Sequence, residues 1–260
     1  MSNYKPLSYQ DFSKRYWKRF SNYNHASAYA YVTVTAPEAV QLAAELPLYF
    51  LNTTKGVEFI ALTGLKPAQC ALIDKNGQWR TRTVPGLFRI APFRLLPMNG
   101  SQPDQKVLGV DLDSELITES TDLPLPPDHE YFFKPGTKQP SEAVQQVISF
   151  LQILEKHNAK TQRAVQMLFD MKLLERVSHE RLAEIPGLMS VNEKRFNELD
   201  DDSFIKLRQC GALAIAYIHL ISMNQLSRLI EWADDQVSSV PEIMDIDALF
   251  KGMNDDLIRF

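Results

Sequence analysis

Residues 211–221 read Gly-Ala-Leu-Ala-Ile-Ala-Tyr-Ile-His-Leu-Ile, and no other stretch limits the fold so tightly. A helix over Leu213 to Ile221 is apolar around most of its circumference, so it has almost no polar side to offer to water. It is therefore expected to be central and covered on several sides. Asp200-Asp-Asp-Ser203 supplies N-cap oxygens and negative charge where such a helix would start, and the pattern continues to Trp232. The apolar run is far shorter than the roughly 20 residues that span a bilayer, so no membrane span is expected. His219 interrupts the run, and a neutral imidazole buried there needs a partner for each nitrogen. The sequence names no activating partner for it. That favours a hydrogen-bonded core histidine over a functional one, though both readings stand.

At 260 residues, 45% hydrophobic and 23% charged, the chain has the composition of a globular protein of one large or two small domains. Its net charge of −4 gives no basis for nucleic-acid binding, which calls for a basic face. Ten glycines include no Gly-x-Gly-x-x-Gly and no Gly-Lys-Ser/Thr, so no nucleotide or other cofactor is expected. His25, His129, His157, His179 and His219 show no ligand spacing, and no metal site is expected. There is no Gly-x-Ser-x-Gly elbow, and neither Cys70 nor Cys210 has a nearby basic cluster to activate it. The balance leans away from an enzyme. Two thiols far apart in sequence suit a reducing compartment, and the polar start Met1-Ser-Asn-Tyr-Lys5 lacks an export-type apolar stretch, so the expected location is cytoplasmic.

Residues 1–27 form an aromatic-basic N-terminal arm, with five Lys/Arg against one Asp by residue 24. Phe12, Tyr16, Trp17 and Phe20 would share one face of a helix from about Tyr9. That face either packs on the chain's own domain or serves an anionic surface or partner groove. A β-rich unit over 28–135 follows, with strands near Tyr29–Thr35, Leu48–Leu51, Val57–Leu62, Gln69–Ile73 and Lys106–Asp111, and a short helix from Pro37. Asp74-Lys-Asn-Gly77 is its strongest hairpin signal, leading into Gln78–Thr83. A helical unit over 136–232 begins with Val144, Val147, Ile148, Leu151 and Leu154 at helical spacing, resumed from Val165 to Leu173 as one bent helix or a pair. The tail 233–260 is acidic yet apolar, with Ile243, Met244, Leu249 and Phe250, and docks either on its own domain or on a partner. The fold class is α+β: a mixed, largely antiparallel β unit packed against a C-terminal helical unit with a central apolar helix.

Trp79, Arg80, Arg82, Arg89, Phe93 and Arg94 concentrate guanidiniums and large aromatics around two prolines, Pro85 and Pro92. Arginine's planar fork suits carboxylate, phosphate or stacking, so Trp79, Arg80, Arg89, Phe93 and Arg94, together with His219, are the candidate ligand-binding residues. The same arginines could instead tie a hairpin to the helical unit through ion pairs, and the structural reading has the advantage. A protein partner or a small anionic ligand is the expected occupant.

Several segments recur together in one known group. Phe59-Ile-Ala-Leu-Thr-Gly-Leu65, Asn76-Gly-Gln-Trp-Arg80, Val84-Pro85, Ala91-Pro-Phe-Arg94 and Gly211 to Arg228 occur in an order and spacing that resemble the SapC family of bacterial proteins, over roughly Leu48 to Leu229. Family context implies extended strands around a turn for Leu174 to Ser190, where Ile185-Pro-Gly187 fits the turn. The family is named from a surface-layer locus and has no established chemistry. The resemblance implies a non-enzymatic binding or assembly protein, an accessory to nutrient-uptake or protein-modification systems. The alternatives are an enzyme of unknown class using Trp79–Arg94 with His219, and a surface-layer-associated protein.

Overall fold

The structure, a computed structural model, describes residues 3–97, 106–119 and 125–238. The apolar tail residues from Ile243 onward lie outside the described residues. The chain opens with strand β1 (Tyr4–Pro6), then the one-turn helix α1 (Tyr9–Phe12), whose N-cap Ser8 accepts the Asp11 N–H, then strand β2 (Arg15–Lys18). The continuous helix expected from Tyr9 does not form. Tyr16 and Trp17 are adjacent and both buried, which a strand achieves when both its faces are covered. Aromatic residues at 12, 16, 17 and 20 fit a helical stripe and a doubly covered strand alike, and tertiary packing selected the strand.

Strand β3 (Tyr31–Thr33) leads to helix α2 (Ala36–Leu42), entered through Thr35, whose N–H is accepted by the Glu38 carboxylate at 3.1 Å. Strands β4 (Leu48–Thr53) and β5 (Gly56–Leu62) form a hairpin in register from Leu48–Ala61 to Thr53–Gly56. The Asp74–Gly77 turn is present: Asp74 Oδ1 accepts the N–H groups of Asn76 and Gln78 at 2.8 Å, and Gly77 takes φ +76°. Its flanks do not become strands, however. Only one bridge, Ile73 to Trp79, joins them, because the flanking backbone is hydrogen-bonded elsewhere, Cys70 N–H to Ser27 and Ala71 N–H to Thr63.

Strands β6 (Phe93–Pro97), β7 (Lys106–Asp111), β8 (Ile117–Glu119) and β9 (His129–Tyr131) complete two small sheets of order β1-β7-β6 and β8-β2-β9. Helix α3 (Glu142–Asp170) is one continuous helix of 29 residues, capped by Ser141. Strands β10 (Leu174–Arg176) and β11 (Leu188–Val191) pair around a turn that ends on Gly187 at φ +83°, as the family context implied. They extend the main sheet, of order β10-β11-β4-β5-β3, which thus draws strands from both the 28–135 and the 136–232 stretches. Every pairing among the described strands is antiparallel.

Four helices end the described residues: α4 (Glu193–Asn197), α5 (Asp201–Cys210), α6 (Ala212–Ser222) and α7 (Leu226–Ser238). Asp200 caps α5 by accepting the Ser203 N–H at 2.8 Å. The single helix expected through Trp232 turns by 87° at Gly211, where φ is +81°, a value that suits glycine. On α6, Ala212, Ile215, Ala216, His219 and Ser222 are buried against α2, α3 and the main sheet, whereas Tyr217 and Ile221 are 47% and 63% exposed. The fold is therefore α+β with α6 central on one side and open on the other. No single helix among the described residues is long and apolar enough to cross a membrane.

Two apolar cores result. The larger lies between the main sheet and the helices and contains Phe50, Phe59, Leu168 and Ala216. The smaller contains Phe12, Trp17, Phe93, Val110 and Phe132. Helix α3, about 43 Å long at 1.5 Å per residue, serves both. Its Val144 and Leu151 pack into the small core and its Val165 and Leu168 into the large one.

Candidate functional site

Where the small core reaches the surface, three elements leave a cleft of about 460 Å³. Trp17, Arg19 and Phe20 line it from β2 and the residues after it, Arg89 to Ala91 and Phe93 from the segment entering β6, and Ala143, Gln146, Val147 and Phe150 from α3. The α3 residues stand at i, i+3, i+4 and i+7, one stripe of a helix. Its volume lies in the range of small-molecule sites, about 300–1,000 Å³. Trp17 meets Phe93 edge-on with ring centroids 4.9 Å apart, so the aromatic wall continues directly from the core.

The polar groups of the cleft are few. The Arg19 guanidinium is bound to Glu130, its Nε at 2.9 Å and an Nη at 2.6 Å. Arg89 lies over the Phe150 ring at 5.4 Å and has no carboxylate partner among the described residues. The buried indole N–H of Trp17 has no acceptor either. Among the described residues no Asp or Glu lines the cleft.

The segment leading into the cleft is held by its backbone. Glu45, just after α2, accepts the N–H groups of Arg82 at 3.0 Å and Thr83 at 2.8 Å, and Glu38 accepts the Gly86 N–H at 2.7 Å. Burial acts to raise the pKa of Glu45, but the Arg82 and Thr83 donors outweigh it and leave the carboxyl below its usual range. The ion pairs expected from Arg80, Arg82, Arg89 and Arg94 to the helical unit do not form among the described residues. The tethering carboxylates belong instead to α2 and its C-terminal flank, and they take backbone donors, which frees Arg82, Arg89 and Arg94 to stay exposed.

The candidate residues thus separate. Arg89 and Phe93 meet in the cleft. Arg94, next to Phe93 on a strand, falls on the opposite face, over the Tyr4 ring at 5.7 Å. Trp79 belongs to an aromatic cluster with Tyr23 and Phe88, and its indole N–H donates to Thr81 Oγ1 at 2.7 Å. Arg80 donates its backbone N–H to Leu72 at 2.8 Å. His219 lies apart from all of these, fully buried between α6 and the main sheet. Its Nδ1 donates to the Leu48 carbonyl at 2.6 Å and its Nε2 accepts the Val191 N–H at 3.1 Å, which fixes the neutral tautomer. Burial pushes its pKa down to about 4 against the raising effect of the Leu48 bond.

Sequence reasoning did not place α3 at this site. The signal was Ala143, Gln146 and Phe150, a stripe beside the one of Val144, Val147, Ile148, Leu151 and Leu154, with Val147 common to both. Trp17, Arg19 and Phe20 were visible as an aromatic-basic group without a location.

The SapC family model matches residues 7–229, from just before α1 into α7. The chain belongs to the SapC family. The match begins some forty residues before Leu48, where the resemblance was seen to start, so the SapC region contains every wall of the cleft, Trp17 included. No curated protein and no solved structure matches the chain.

Proposed function

We propose that this SapC-family protein is a non-enzymatic binding or assembly protein, and that the cleft between β2, the Arg89–Phe93 segment and α3 receives an anionic group carried on apolar surface. The group belongs to a small molecule or to a protein partner. The observation that carries this reading is Arg89, an exposed guanidinium on the edge of an aromatic cleft, with no carboxylate partner and no lining acid among the described residues. Arginine's fork pairs with carboxylates and phosphates, and the stacked Phe150 ring holds it in place.

Two further observations support binding over catalysis. Both nitrogens of His219 are engaged by backbone, which leaves it no lone pair for base chemistry. Burial pushes the Cys70 thiol up to about 11, so it stays protonated rather than nucleophilic. The free state of Cys70 and Cys210 supports work in the cytoplasm, and cell fractionation that finds the chain elsewhere would reject that part of the reading.

A thermal-shift panel of carboxylates, phosphates, amines and acidic peptides tests the site. A specific ligand at 100 times its Kd adds about 2.7 kcal/mol to stability. The expected result is a shift that disappears in Ala143→Trp, which fills the cleft, and shrinks in Arg89→Lys, which keeps charge but loses the fork. A shift that persists in Ala143→Trp, or no shift from any compound, overturns the proposal.

A further inference from the structure

We infer that the occupant of the cleft is an aryl-substituted monocarboxylate, its ring against the wall of Trp17, Phe93 and Phe150 and its carboxylate on Arg89. This rests on the cleft being the binding site and adds the chemical class of its ligand.

Charge sets the first limit. Two guanidiniums line the cleft, but Arg19 is already bound by Glu130 through two of its nitrogens, so one fork is open. One open fork matches one carboxylate, bidentate and planar, rather than a polyphosphate.

The lining sets the second limit. Trp17, Phe20, Phe93 and Phe150 supply aromatic surface, and a flat ring offers offset or edge contacts to it that an inorganic anion does not use. The third limit is what the lining lacks. Among the described residues no Asp or Glu lines the cleft, and the nearby Glu130 is taken by Arg19, so the ammonium of a free amino acid would gain no free counter-charge there. An aromatic amino acid is therefore a poorer ligand than the same ring carrying only an acid.

The test is calorimetric titration of the full chain with 3-phenylpropionate, compared with phenylalanine, 3-phenylpropylamine and inorganic phosphate. The expected result is saturable one-to-one binding of 3-phenylpropionate, at least tenfold weaker binding of phenylalanine, and no saturation by the amine or phosphate over the same range. Arg89→Gln and Phe150→Leu each weaken 3-phenylpropionate at least tenfold, while Arg94→Gln, on the other face of β6, leaves it unchanged. Arg89 is exposed, so its variant should melt like the parent, and a matching melting curve excludes misfolding as the cause of lost binding.

Equal binding of phenylalanine, or unchanged affinity in Arg89→Gln, overturns the inference. If inorganic phosphate binds, and Ala143→Trp abolishes that binding, the ligand class is wrong while the cleft survives as an anion site; an amine that binds there overturns the anionic reading of the cleft as well. Silence from every compound in this set and in the wider panel rejects both.

Discussion

His219 stands between β11 and β4 and carries the ladder across the gap, its Nδ1 donating to the Leu48 carbonyl at 2.6 Å. The two strands pair at Leu188–Leu51 and Met189–Phe50, and the same register would set Val191 opposite Leu48. Val191 N–H instead reaches Nε2 of the imidazole, so the ring takes the place of a direct backbone bond. The Leu48 N–H is accepted by Ser222 Oγ at 2.9 Å. Helix α6 thereby satisfies both backbone polar groups of one buried strand residue, which would otherwise go unpaired at a cost of about 1–3 kcal/mol each.

His219→Ala should lower stability by about 2–6 kcal/mol, since the Leu48 carbonyl and the Val191 N–H each lose their partner. The pH dependence carries a sign. Because the folded pKa is depressed from 6.5 to about 4, the unfolded chain takes up the proton first as pH falls. The stabilisation from neutral His219 is complete above pH 6.5 and is lost between 6.5 and about 4, by roughly 3 kcal/mol. Denaturant melts of wild type and His219→Gln at pH 7.5 and 4.5 check this. If the two lose equal stability over that interval, His219 is not the group that titrates.

Tyr49 is fully buried beside His219, and its hydroxyl has no hydrogen-bond partner among the described residues. Tyr49→Phe removes an unpaired polar atom and keeps the ring, so stability should hold or rise by about 1 kcal/mol. A loss above 1 kcal/mol in urea unfolding would mean that the hydroxyl is satisfied in solution.

Glu45 should act as a latch on the segment before the cleft. Glu45→Ala removes the acceptor of the Arg82 and Thr83 N–H groups and should cost about 1–2 kcal/mol, and it should raise hydrogen exchange at those two amides. Since the folded pKa of Glu45 is depressed, its contribution is present above its ordinary value near 4.5 and is lost as pH falls through the lower folded value. The gap between wild type and Glu45→Gln should therefore narrow below pH 4. A constant gap would assign the effect to packing.

Two glycines should respond in opposite degree to alanine. A Cβ on Gly64 would lie 1.8 Å from the Gln69 carbonyl oxygen, a backbone clash that forces the two segments apart. Gly64→Ala should cost about 3 kcal/mol or more. Gly136, at φ +72° with open space around it, should lose only about 1 kcal/mol, the cost of a left-handed alanine. Thermal melts rank the two, and equal losses would contradict the packing around Gly64.

Features encoded within a few residues were legible in the sequence. The Asp74–Gly77 turn, the Asp200 cap and the α2 entry each follow from side chains bonding backbone a few residues away, and the stripe of α3 is a local periodicity, so no distant partner is needed to read them. Family membership was legible for the same reason, since its motifs are contiguous. The tertiary structure decided the rest. It made Tyr16 and Trp17 a strand, because β8 and β9 from about a hundred residues later supply the ladder on its two edges, while Phe93 packs on Trp17 and Tyr131 on Tyr16. It left Gln69–Ile73 and Gln78–Thr83 unpaired beyond one bridge, because Ser27, Thr63 and Glu45 took their donors. It parted Phe93 from Arg94 across a sheet and assembled the cleft from residues 17–20, 89–93 and 143–150. A sequence gives the chemistry of each of those stretches, but their convergence is set by where α3 packs on the small core, and that is fixed by the burial of all three together.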